Sequence, residues 1–255
     1  MLKSCKYLFG SLILAACFGA GAKDLTILVV GQSMSANSGG HVYREPVKGL
    51  YQIDLEGRRV PAKDPLLWAS SDGGSLWMPL GRKILQAKLA DSVTFMPIGK
   101  GGTSLENWLT PGSYVNGKMY RALEIIERNN IKFDYVFFLQ GSSDVGTPMK
   151  DYATRFYTLH HIIQGRLKKS GSDPAWIIAR HTRCGDLYDA DIVAVQHAIG
   201  RRDNQKHYFV GPDTNPVAMR YRRDRCHLNQ AGQELVSDMW LQSLKEVMQK
   251  QGRKP

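Results

Sequence analysis

The chain has 255 residues, 43% apolar and 22% charged, a globular balance that excludes a disordered or fibrous protein. After the N-terminus no apolar run approaches the roughly 20 residues that span a bilayer, so a polytopic membrane protein is excluded, and no repeat or linker divides the chain. The formal charge of +11 becomes +9 without Lys3 and Lys6, a basic balance that suits nucleic acid, an anionic glycan or a membrane surface.

Residues 1–22 place Lys3 and Lys6 ahead of an apolar stretch and end in Ala20, Gly21 and Ala22, the pattern of an export signal. Within it, Leu14-Ala15-Ala16-Cys17 resembles a bacterial lipobox. Two outcomes stay open: a soluble periplasmic or secreted protein cut after Ala22, or one lipid-anchored to a bacterial membrane at Cys17. Membrane contact is expected only in the second, and export argues against nucleic acid as a partner.

Strand-length apolar runs follow at Leu25 to Val30, Val93 to Ile98, Tyr135 to Leu139, Trp176 to Ala179 and Tyr208 to Val210, each closed by Gly or polar residues. Between them lie helical periodicities: Leu80, Ile84 and Leu85; Met119, Leu123 and Ile126; Tyr152, Phe156, Leu159 and Ile163; Ile192, Val195 and Ile199. A last helix starts near Asn229, an N-cap residue, and carries Leu235, Met239, Trp240 and Leu244. This alternation predicts one domain over residues 23–255, a three-layer α/β/α sandwich around a five-stranded parallel sheet. Residues 35–79, rich in Gly and Pro and holding Trp68 and Trp77, read as an irregular insertion that either shapes a site or decorates the surface.

Ligands of open α/β sheets bind beyond the carboxyl ends of the strands, so the residues after each run carry the chemistry. These are Gly31-Gln32-Ser33, then Gly99-Lys100-Gly101-Gly102-Thr103-Ser104, then Gln140-Gly141-Ser142-Ser143-Asp144, then Arg180-His181-Thr182-Arg183-Cys184, and finally Asp224-Arg225-Cys226-His227. A serine hydroxyl needs a base, and an imidazole oriented by a carboxylate is the usual one. Asp224 and His227, three apart, can share one side of a turn. Ser33 follows a buried strand in a Gly-containing turn, glycine at Gly102 lets a backbone amide approach an oxyanion, and the Gln140 amide is a second candidate donor.

The blocks G-Q-S, G-G-T-S-L-E-N-W, Q-G-S-S-D and D-x-x-H-L-N, in this order over nearly the whole mature chain, resemble those of SGNH hydrolases. More narrowly they resemble the sialate O-acetylesterase-like branch of carbohydrate esterases. The resemblance implies a flavodoxin-like fold and a Ser33-His227-Asp224 triad. It implies an oxyanion hole from Ser33, Gly102 and Gln140, and no metal or cofactor. The expected substrate is an acetylated carbohydrate, sialic acid or another acetylated glycan. Two departures bear on substrate range: the family's Asn after the serine is Met34, and the Glu of its third block is Ser142.

Gln32, Trp108, Arg180 and Arg223 are candidate substrate contacts; Trp108 can equally close the core. The run Arg220, Arg222, Arg223, Arg225 either presents a charge to a carboxylate-bearing sugar or forms a solvated basic face. Asp144 is expected to tie its own loop, and His160 and His161 to be packed or solvated. No G-K-[ST] follows the glycines near Lys100, which excludes a P-loop. Outside the signal only Cys184 and Cys226 remain, and a disulfide between them is expected; a zinc site with His181 and His227, or two free thiols, are the alternatives. Competing functions are an SGNH lipase or thioesterase, which needs an apolar acyl groove, and a non-catalytic glycan-binding module.

Overall fold

The structure, a computed structural model, describes residues 23–253; the expected export segment with Cys17 lies outside the described residues. Seven strands form one sheet: β1 (Asp24–Gly31), β2 (Leu50–Ile53), β3 (Arg59–Pro61), β4 (Ser92–Pro97), β5 (Tyr135–Leu139), β6 (Ala175–Arg180) and β7 (Tyr208–Asp213). The helices are α1 (Trp77–Gln86), α2 (Leu105–Leu109), α3 (Tyr114–Arg128), α4 (Met149–Lys169), α5 (Ala190–Gly200) and α6 (Gln230–Lys250). No described helix is long and apolar enough to cross a membrane.

The strand order is β3-β2-β4-β1-β5-β6-β7, parallel except for β3 against β2. The five predicted strands are all present and form the contiguous part of the sheet. Its size is the correction: β2 and β3 lie inside the insertion and extend the sheet beyond β4. Their sequences, LYQI and RVP, are too short and too polar to read as strands. Pairing decides them, because Leu50, Tyr51 and Gln52 lie against Val93, Thr94 and Phe95 of an already formed strand.

Side chains alternate across the strands, and both faces are apolar. Ile27, Val29, Phe137 and Leu139 pack on one side with α1 and α6, while Leu28, Val30, Val136 and Phe138 pack on the other with α3, α4 and α5. On the first side Phe137 stacks on Trp240 at 4.5 Å, with Trp77 edge-on to Trp240 at 5.6 Å. Truncating a fully buried Trp such as Trp240 to Ala costs about 3–5 kcal/mol. Asn229 caps α6 as expected, accepting from the Gly232 amide at 3.0 Å.

The insertion is ordered by buried amides. Asn37 Oδ1 accepts from the Leu66 amide and its Nδ2 donates to the Leu66 carbonyl. Gln233 of α6 donates to the carbonyls of His41 and Ser75 and accepts from the His41 amide. Residues 35–79 thus become a fixed wall beside the carboxyl edge of the sheet.

Candidate active site

Gly31 ends β1 with φ +149, and a Cβ there would lie 2.0 Å from the Leu139 carbonyl oxygen of β5, so only glycine fits where these strands part. The chain then turns through a short 3-10 segment at Ser33–Ser35, closed by the Ala36 amide donating to the Ser33 carbonyl at 3.0 Å. Ser33 is 8% exposed, and among the described residues its hydroxyl has no hydrogen-bond partner. A Cβ at Gly101 would stand 3.4 Å from Ser33 Cβ, so the loop after β4 runs directly past the serine. Gly102, at φ +70, is exposed with open space beside it. The amides of Ser33 and Gly102 donate to no described acceptor.

Asp224 and His227 form the expected pair. His227 Nδ1 lies 2.8 Å from Asp224 Oδ2, and Oδ1 accepts the amides of His227 at 2.7 Å and Cys226 at 3.1 Å. Burial pushes the Asp224 carboxyl up, but hydrogen bonds from the His227 ring and these two amides pull it down further, to about 2. An ionised Asp224 keeps the imidazole proton on Nδ1 and leaves Nε2 free to act as a base. Leu228, the next residue, lines a small cavity together with Ser33, so the two segments meet.

The turn is tied from behind. Cys184 and Cys226 form a disulfide, as expected, 42 residues apart. Because their sulfurs bond one another, a zinc site with His181 and His227 lacks its thiolates. Arg222 is buried and donates to the carbonyls of Cys226 at 2.5 Å, Thr214 at 3.2 Å and Val217 at 3.4 Å. Arg225 pairs with Asp186, and Arg220 lies over the Tyr221 ring. Of the arginine run only Arg223 stays at the pair: half-exposed, it has Nε 3.6 Å from Asp224 Oδ2 and its amide on the His227 carbonyl.

Four expected contacts find other roles. Gln140 is fully buried; its Nε2 donates to the Thr103 carbonyl at 2.7 Å and Asp144 Oδ2 at 2.5 Å, with Gln32 Oε1 at 3.3 Å, leaving no N–H for an oxyanion. Gln32 is buried too. Its Oε1 accepts the Ser143 amide at 3.0 Å, and its Nε2 donates to Ser142 Oγ, the hydroxyl standing where the family pattern has Glu. Trp108 packs in the core at 0% exposure, so it is no sugar platform. Arg180 pairs with Asp213 at 3.7 Å. Met34, in place of the family's Asn, is likewise a core residue.

These amides belong to a buried network that sequence reasoning did not foresee. His181 Nε2 lies 3.5 Å from Gln32 Nε2, which can only donate; the ring proton is therefore on Nδ1, 2.8 Å from Thr214 Oγ1, whose hydroxyl reaches the Arg180 carbonyl. Burial, then the charges of Arg222 and His227, push His181 down to about 3, and it stays neutral. Asp144 accepts the Leu105 amide at 2.7 Å, joining the loops after β4 and β5, and burial pushes it up to about 6 against these hydrogen bonds. A His and two Gln at successive strand ends were the visible signal, but side-chain direction was not.

The model of the family described as "SASA: carbohydrate esterase, sialic acid-specific acetylesterase" matches residues 23–246. No curated protein matches the chain. Among solved structures, a protein from Arabidopsis thaliana is similar with a TM-score of 0.66 at 17% identity, over 88% of this chain and 98% of that one. An acetyl xylan esterase from Geobacillus stearothermophilus, solved as a single-residue variant, gives 0.54 at 13%, over 89% and 95%. A lipase/acylhydrolase from Enterococcus faecalis gives 0.53 at 16%, over 87% and 96%. These likenesses establish an SGNH-type α/β fold, and the family match covers most of the chain. It belongs to this carbohydrate esterase family and is a carboxylic ester hydrolase.

Proposed function

We propose that this carbohydrate esterase removes O-acetyl groups from a carbohydrate, sialic acid or another acetylated glycan, with Ser33 as nucleophile, His227 as base and Asp224 as its partner. The observation that carries the reading is the Asp224–His227 pair, at 2.8 Å through Nδ1, on a segment that shares a cavity with Ser33. Ser33 Oγ attacks the acetyl carbonyl carbon while its proton passes to His227 Nε2. The amides of Ser33 and Gly102 meet the oxyanion. The sugar oxygen leaves with the proton from His227, giving an acetyl-Ser33 ester; water, deprotonated by His227, then releases acetate and restores the serine.

The acyl group is small in this reading because the cavity that Ser33 lines with Met34, Ala36 and Leu228 is small, about 10 Å³, and forms no groove for a long chain. That favours acetyl over the acyl chain of a lipase or thioesterase. The export pattern of residues 1–22 and a disulfide beside the base support a reaction outside the cytoplasm, in the periplasm or beyond. The test is acetate release from acetylated sialic acid and acetylated neutral sugars against hydrolysis of medium-chain acyl esters. Preference for the long chain would overturn the reading.

A further inference from the structure

Beyond the serine the molecule has a second feature suited to a ligand. A cleft of about 600 Å³ runs between the insertion, at Leu67 and Ser70, and α3, at Tyr114, Lys118 and Arg121. A hollow of about 240 Å³ continues it from Tyr114 past Lys100 to Gly102. The cleft is joined to the catalytic edge by hydrogen bonds: Ser70 Oγ accepts the Gly101 amide at 3.0 Å, and Lys118 Nζ donates to the Gly99 carbonyl at 3.0 Å. A ligand reaching Ser33 past Gly101 therefore has this cleft as its extension.

Its chemistry is one-sided. Lys100, Lys118 and Arg121 contribute three positive charges, and neither cavity is lined by Asp or Glu. Among the described residues none of the three pairs with a carboxylate. Glu56, Glu124 and Glu127 line an adjoining hollow that shares Leu55 and Arg121 with the cleft. Tyr114 is 72% exposed, its ring 5.9 Å from the Lys100 ammonium, offering a flat apolar surface beside the charges. Burial, and then the neighbouring charge of Lys100, push Lys118 down to about 8. An acyl chain laid here would cover charges without compensating them, whereas a sugar ring stacks on tyrosine while its carboxylate meets lysine and arginine.

We propose that this cleft is a subsite for a negatively charged sugar unit next to the acetylated one, so that the enzyme acts on acidic oligo- or polysaccharides. The subsite rests on the carbohydrate esterase reading for its purpose, but its ligand can be tested apart from hydrolysis. The experiment titrates the full protein with a deacetylated uronic-acid oligosaccharide and with the same oligosaccharide after its carboxyls have been reduced to alcohols. A Lys100→Gln/Arg121→Gln variant is titrated in parallel. The acidic form should bind at least about tenfold more tightly at low salt, and the advantage should shrink to within about twofold in the variant and at high salt. Equal Kd values for the two forms, or an advantage unchanged in the variant, would overturn the subsite. Turnover of p-nitrophenyl acetate, too small to need the cleft, is measured on the same protein: absent turnover with the binding preference intact would end the esterase reading and support the subsite.

Discussion

Around Ser33 the chain is buried from Gly31 to Ser38, and its order comes from the polar network of Gln32, Gln140, Asp144 and His181 locked beneath it. Around His227 the chain is exposed at Arg223, Asp224 and Arg225, and its order comes from one disulfide and the buried guanidinium of Arg222. Ser33 stands at the switch point between β4-β1 and β5, where the sheet itself supplies rigidity. Asp224 and His227 stand on a turn outside the named strands and helices, and cross-links replace burial. The tethers thus hold the Asp224–His227 turn while leaving the His227 ring partly open to solvent.

Removing the reactive group from either region has the largest expected effect. Ser33→Ala and His227→Ala should each lower kcat for a chromogenic acetyl ester by about 10⁴-fold or more with the circular dichroism spectrum unchanged. Asp224→Asn should lose less than His227→Ala. Wild-type turnover by Ser33→Ala would end the triad reading.

The tethers come next. Replacing Cys184 and Cys226 by serine opens a loop spanning 42 residues, worth about 4 kcal/mol in the chain-entropy model. Urea unfolding should show a loss approaching that figure. In reducing buffer kcat should fall at temperatures where the fold is intact, because the tie holds the Asp224–His227 turn more than the core. Activity and fold lost together would mean that the turn needs no tether.

On the serine side, Gln140→Ala strands Asp144 and the Thr103 carbonyl, at a cost of about 1–3 kcal/mol in stability. Its kcat well below the melting temperature should drop by less than the ~100-fold typical of a lost oxyanion donor. A loss of 100-fold or more with an unchanged Tm would return Gln140 to the oxyanion hole.

The smallest effect is a change of slope. Asp144 holds its proton in the folded state up to about pH 6, whereas the unfolded carboxyl releases it near pH 4. The folded state therefore binds the extra proton across this window, and Asp144 makes the protein less stable as pH rises through it. His181 acts in the opposite sense: neutral in the fold down to about 3, it makes stability rise between about pH 3 and 6.5. Asp144→Asn should therefore make Tm climb more, or fall less, between pH 4 and 6 than in the wild type. Identical Tm–pH curves would mean that Asp144 titrates alike in both states.

Much of this was legible in the chain itself. Long apolar runs closed by Gly or polar residues specify buried strands whatever surrounds them, so all five central strands were readable, and so were the residues at their ends. Asp224 and His227 could be paired because three residues of turn leave them few other places to go, and Cys184 and Cys226 could be joined because they were the last two cysteines on one edge. Tertiary structure alone decided β2 and β3, whose pairing energy comes from β4 rather than from their own composition. It also decided which polar side chains turn inward: Gln32 and Gln140 became ties instead of substrate and oxyanion contacts, Trp108 became core, and Lys100 came beside Lys118 and Arg121 of α3. An amide, an indole or an ammonium has the same local sequence signature whether it faces solvent, a ligand or a neighbour. Only the packing of distant segments determines which group is left to meet it.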